Sequence, residues 1–108
     1  MPINTINSSE EFKRIINSGK PVVIDFFAAW CNNCRITYPF FEEFSKDAPG
    51  VDFWKLDIDD HPDVSKEIDI KSLPTFIFFR SGAKVGEVLG ADPAGLHGLI
   101  QTAKKATA

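Results

Sequence analysis

The sequence predicts an α/β domain built on a mixed β-sheet, and three observations predict it. Segments rich in β-branched and aromatic residues alternate along the chain with amphipathic ones, as they do where sheet and helix layers share a core. The 108 residues contain no linker, internal repeat or low-complexity tract, so residues 1–108 read as one domain. Their composition, 44% apolar and 25% charged, suits a chain able to bury an ordinary globular core.

The elements follow in order. Ile3 to Ile6 reads as a short edge strand (β1). Ser8-Ser9-Glu10-Glu11 has the form of a capping box, with Ser8 as N-cap and Glu11 three residues on. Phe12, Ile15 and Ile16 follow at helical spacing (α1), and Gly19 supplies a stop. Pro21 to Phe27 is apolar almost throughout, as a strand covered on both faces would be (β2); its exception is Asp25, which the pattern puts in the interior. From Cys31 onward, Ile36, Phe40, Phe41 and Phe44 recur at helical spacing (α2). Pro39 lies inside that run and is expected to kink the helix without ending it, because the apolar stripe resumes beyond it. Val51 to Ile58 alternates as a strand (β3), and Pro62 to Ile68 is a short helix (α3). Leu73-Pro74 breaks the chain before the strand Thr75 to Phe79 (β4), and Ser81-Gly82 turns it as a hairpin into Lys84 to Leu89 (β5). Asp92-Pro93 pairs an N-cap with a first-turn proline and opens the last helix, with Leu96, Leu99, Ile100 and Ala103 on one face (α4).

Charge and the chain start narrow the functional classes. A net charge of −3 offers no basic footprint for nucleic acid and no polybasic run for an anionic membrane. The longest apolar stretches, such as Phe76 to Phe79, are strand-sized and far below the ~20 residues of a membrane helix. Neither partner is therefore expected. Met1-Pro2-Ile3-Asn4-Thr5 has no basic region followed by an apolar block, so a cytoplasmic location is expected.

Cys31 and Cys34 are the two cysteines. Closing so short a loop yields little entropic stabilisation, so reactivity is the better reason for the pair. A metal site would need four ligands, and His61 and His97 have no metal-ligand spacing to the pair, so no metal is expected. No further thiol is present to link two chains while the pair is intact, and a monomer is expected.

The pair sits where a buried strand gives way to a helix. The first backbone N–H groups of a helix lack internal partners and carry the positive end of its dipole. A thiolate at Cys31 can accept from them, which lowers its pKa. Cys34, one turn on, faces back toward Cys31 and is expected to be the more sheltered. Cys31 would attack a substrate disulfide, and Cys34 would resolve the mixed disulfide.

The run Val22-Val23-Ile24-Asp25-Phe26-Phe27-Ala28-Ala29-Trp30-Cys31-x-x-Cys34 resembles the active-site strand and loop of the thioredoxin family. The similarity extends through Pro39-Phe40-Phe41, Lys55-Leu56-Asp57-Ile58-Asp59, Leu73-Pro74-Thr75-Phe76 and Gly82-x-x-Val85-Gly86, and covers nearly the whole chain. It implies the thioredoxin fold, a central five-stranded sheet in the order β1-β3-β2-β4-β5 flanked by four helices. It also implies a protein-disulfide reductase with no bound cofactor, recharged by NADPH through thioredoxin reductase and acting on disulfide-containing proteins.

Roles follow residue by residue from that resemblance. Asp25 matches the family's buried carboxylate beneath the second cysteine, where burial should raise its pKa and let it take the Cys34 proton; a structural aspartate with satisfied hydrogen bonds is the alternative. Lys55 matches a lysine often found near that carboxylate, against the alternative of a plain surface lysine. Pro74 matches the family's cis-proline, which leaves the backbone of Leu73 free to pair with an extended substrate, against a trans proline that only starts a strand. Trp30 matches the tryptophan before the first cysteine, with its indole N–H donating to Asp59, against simple core packing. Gly90 and Ala91 match a small-residue loop which, with Trp30 and Leu73, would form an exposed apolar docking patch.

The chain departs from its family between the cysteines, where Asn32-Asn33 replaces the usual Gly-Pro, and after them, where Arg35 replaces the commoner lysine. Asn33 restores a backbone donor in the first turn that proline lacks, so the pair is expected to be more oxidising than a Gly-Pro pair. Competing functions are an oxidase or isomerase module with such a pair, and a non-catalytic binding module; an iron–sulfur bridge between two chains is a remoter option.

Overall fold

The alternating pattern becomes nine elements in a computed structural model, which describes residues 3–107. They are β1 (Asn4–Thr5), α1 (Ser9–Ile16), β2 (Val22–Phe27), α2 (Asn32–Ser45), β3 (Asp52–Asp57), α3 (Pro62–Ile68), β4 (Thr75–Arg80), β5 (Ala83–Leu89) and α4 (Pro93–Lys105). The sheet has the expected order β1-β3-β2-β4-β5. β1 and β2 run parallel to β3, and β4 runs antiparallel to both β2 and β5.

β2 sits at the centre of the sheet, so both of its faces are covered and its alternation sorts side chains into two layers. Val22, Ile24 and Phe26 join Phe12, Ile15 and Ile16 of α1 and Val64 of α3. Val23 joins Phe41 of α2 and Leu96, Leu99, Ile100 and Ala103 of α4 on the other side. Asp25 shares the face of Val23 by strand periodicity, and so lies beneath α2 and α4.

Local signals account for most boundaries. Ser8 Oγ accepts from the Glu11 N–H at 3.0 Å, and Glu11 Oε1 accepts at 2.7 Å from the N–H of Asn7, one residue further back than the usual capping box. Helix α1 ends at Ile16 with Asn17 as C-cap, so Gly19, at φ +87°, turns the chain toward β2 instead of capping the helix. Ser81 and Gly82 have φ of 53° and 82°, and this pair of left-handed residues is the type I′ turn whose twist matches a two-residue hairpin. Gly82 also donates to Ile16 O at 2.7 Å, and a Cβ there would meet the Asn17 amide. Asp92 Oδ1 accepts from Gly95 N–H at 3.0 Å, as expected for the N-cap of α4.

Helix α2 continues through Pro39, as expected, but its buried stripe only partly follows its apolar residues: Phe41 and Phe44 pack on the core as expected. Ile36 and Phe40 are 52% and 42% exposed, whereas Cys34, Thr37 and Phe41 face the sheet. A buried threonine is tolerable here because its Oγ1 donates within the helix, to Asn33 O at 2.8 Å.

Candidate active site

β2 ends at Phe27, and the chain enters α2 through Ala28-Ala29-Trp30 with Cys31 as the N-cap residue. Cys31 Sγ occupies the acceptor position that Ser8 Oγ fills in α1, and takes the Cys34 N–H at 3.1 Å. One helical turn separates the cysteines, their Cα atoms lie 5.3 Å apart, and the pair is a disulfide. Cys31 is 6% exposed and Cys34 4%, so in this oxidised form the expected difference in shelter is slight. The Asn33 N–H makes no bond to Cys31 Sγ in this state; Cys34 is the donor. Asn32 and Asn33 both face solvent. Arg35 braces the loop from the other side, its Nη1 donating to Ala29 O at 2.7 Å.

Asp25 lies beneath the pair, 2% exposed, with no hydrogen-bond partner for Oδ1. Burial pushes its pKa up from 3.8 to about 7, and the positive charge of Lys55 pulls in the opposite direction. Lys55 faces Asp25 in the β2–β3 register and is half-buried. A cleft of about 260 Å³ joins these groups, with Asp25, Cys34, Arg35, Tyr38 and Lys55 on its walls.

A second depression, of about 490 Å³, lies in front of Cys31. Trp30 borders it and is 68% exposed, held by its Nε1–H to Asp59 Oδ2 at 2.8 Å, so it is not a core tryptophan. Asp59 is itself steadied by Asp57 Oδ1, which accepts its N–H at 2.9 Å. Leu73 borders the same groove and packs against the cluster of Ala28, Cys31 and Cys34, and the Leu73–Pro74 peptide bond is cis. Gly90 donates its N–H to Pro74 O at 2.7 Å, but neither Gly90 nor Ala91 lines the groove. Asn32 and Asn33 also line it, and its remaining wall comes from Ile58, Ile70, Lys71 and Ser72, which sequence reasoning did not single out. Ile58 stood inside a quoted motif; nothing marked Ile70, Lys71 or Ser72. Tyr38 was missed as well, although its place four residues after Cys34 puts both on one helix face.

The Thioredoxin family model matches residues 4–105. The chain belongs to the thioredoxin family. It is 41% identical over 101 residues to a thioredoxin of Coprinus comatus, covering 92% of this chain and 95% of that one. Among solved structures, a crystal structure of Malassezia sympodialis thioredoxin superposes with a TM-score of 0.91 at 37% identity, covering 95% of this chain and 91% of the other. A structure concerned with the thiol-resolving mechanism of yeast mitochondrial 1-Cys peroxiredoxin through glutathione and thioredoxin systems gives 0.87 at 32% identity, covering 93% and 94%. With its cysteines joined at the head of α2, this thioredoxin is a thiol–disulfide oxidoreductase acting on proteins. Thioredoxins need no bound cofactor. Among the described residues, no group of three or more His, Cys, Asp or Glu side chains is arranged to hold a metal ion, and no helix is long and apolar enough to cross a membrane.

Proposed function

We infer that this thioredoxin is a reductant of protein disulfides in the cytoplasm, recharged by thioredoxin reductase with electrons from NADPH. The observation that carries the mechanism is Cys31 Sγ in the N-cap position of α2, one turn from Cys34 and above the buried carboxyl of Asp25, whose Oδ1 has no hydrogen-bond partner from the protein.

In the reduced enzyme the Cys31 thiolate sits at the positive end of the helix dipole. It attacks one sulfur of a substrate disulfide; the Cys31–substrate bond forms, and the substrate's second sulfur leaves as a thiolate that takes a proton from solvent. Asp25 accepts the Cys34 proton, and the Cys34 thiolate attacks Cys31 Sγ. The mixed disulfide breaks, the first substrate sulfur leaves as a thiolate, and the Cys31–Cys34 bond holds the two electrons' worth of oxidation. A carboxyl titrating at about 7 suits this task, because it can hold or lose a proton at neutral pH. The groove of Trp30 and Leu73 would bind the substrate as an extended segment beside Leu73, whose peptide bond to Pro74 is cis, with Asp59 fixing the indole and with Gly90 and Ala91 extending the docking patch beyond the groove itself. A protein partner of the peroxiredoxin type fits this reading, supported by the yeast structure described above. Asn32, Asn33 and Lys55 would tune the potential of the pair.

An NADPH-coupled assay with thioredoxin reductase and insulin tests the reading. Wild type should turn over, Cys31→Ser should be inactive, and Cys34→Ser should accumulate the mixed disulfide. Refolding of scrambled ribonuclease without reductase-coupled turnover would replace it with the isomerase reading.

A further inference from the structure

The cleft between Asp25 and Cys34 has one wall whose chemistry disulfide exchange has not yet used. Tyr38 projects from α2 one turn beyond Cys34, and the Lys55 ammonium lies 4.9 Å from the centroid of its ring. That distance is within the range of a cation–π contact. The ring has its own anchors: it packs on the cluster that contains Phe41 and Ile3, and its hydroxyl lies 3.4 Å from Glu42 Oε2, to which it donates. A lysine ammonium on its flexible four-carbon stem otherwise turns toward water, where its field is screened.

Lys55 is the charged group that acts on Asp25 from β3. From α2 the cleft receives Cys34, Arg35 and Tyr38; Arg35 is committed to Ala29 O, and Glu42 stands behind the Tyr38 ring. From β4 the residue opposite Asp25 is Phe76, and Thr75 follows it in the register, so that strand brings no charge. From α4 the same layer receives Leu96, Leu99, Ile100 and Ala103, also uncharged. The position of one ammonium therefore governs the field at the carboxyl.

We propose that Tyr38 is a positioning residue for disulfide exchange, its ring holding the Lys55 ammonium at the mouth of the Asp25–Cys34 cleft and so setting how readily Asp25 takes the Cys34 proton. This rests on Asp25 being the proton acceptor, and adds a residue that acts on it through Lys55. An ammonium held there favours the ionised carboxyl, in opposition to burial. Releasing it makes Asp25 harder to ionise, and moves the working range to higher pH.

The test is a pH titration of the Asp25 side chain by carboxyl ¹³C NMR on the full chain, beside the pH profile of insulin reduction. Tyr38→Leu keeps an apolar cover but removes the π face, and should raise the Asp25 midpoint by roughly half a pH unit. Tyr38→Phe keeps the face and should retain the wild-type midpoint. In a Lys55→Met background, Tyr38→Leu should add no further shift. The proposal is overturned if Tyr38→Leu leaves the midpoint in place, if Tyr38→Phe moves it as far as Tyr38→Leu, or if the shift persists without Lys55. Failure of the acceptor role is seen separately, as an Asp25→Asn enzyme whose rate profile keeps the wild-type inflection.

Discussion

Replacing Asp25 with alanine should stabilise the protein in alkaline solution and do little in acid. The carboxyl is 2% exposed, Oδ1 has no partner, and its pKa rises from 3.8 to about 7. At 1.36 kcal/mol per pH unit, holding the ionised form in the fold costs about 4 kcal/mol above neutral pH. The sign follows from proton binding. Between 3.8 and about 7 the native state keeps a proton that the unfolded chain releases, so wild type loses stability as pH rises through that window. Below it both states are protonated and the penalty vanishes. The alanine variant has no such slope; its own loss is a small cavity beside an existing cleft, worth about 1 kcal/mol. Urea unfolding of the oxidised proteins, read by fluorescence, should therefore show a stability difference that shifts in favour of alanine by roughly 3–4 kcal/mol between about pH 4 and about pH 8. A difference independent of pH would refute the assignment of a buried, unpartnered carboxyl.

Three other substitutions probe different layers of the molecule. Phe41→Ala removes a fully buried ring that lies 5.3 Å from Phe76 and 5.6 Å from Phe53, and should cost about 3–5 kcal/mol in chemical denaturation. Gly82→Val puts a β-branched side chain at φ +82° against Asn17, and should cost at least about 1–2 kcal/mol, seen as a lowered melting temperature. The double variant Asn32→Gly, Asn33→Pro loses a first-turn N–H that is free to meet the thiolate once the disulfide opens. Equilibration against glutathione should find the variant more reducing than wild type by roughly 20 mV, the equivalent of one hydrogen bond of about 1 kcal/mol, and a wild type that is equally or more reducing refutes the idea.

The parts that could be read from the sequence share a short range. Ser8, Asp92 and the Ser81-Gly82 pair act within four residues of themselves, and their geometry is what the structure shows. The stripe on α2 was half legible, Phe41 and Phe44 packing on the core, because hydrophobicity alone cannot say which side of a helix docks. Ile36 and Phe40 look like core and face solvent, while Thr37 looks polar and is fully buried, its hydroxyl bonded to its own helix. The groove wall was only partly visible for a related reason: Ile58 follows β3 and Ile70 and Lys71 follow α3, and nothing local says that these two loops meet in front of Cys31.

The sequence by itself determined the reacting pair and its place at a helix start, because three residues and one turn of α-helix fix the spacing of Cys31 and Cys34 wherever the helix lies. Tertiary structure alone decided what surrounds that pair. It set Lys55 opposite Asp25 across two strands, laid Tyr38 over the ammonium, and left Oδ1 buried beneath α2 with no hydrogen-bond partner from the protein. Helix geometry is a property of neighbouring residues, but the dielectric around a carboxyl and the position of a distant charge depend on which layers stack above it.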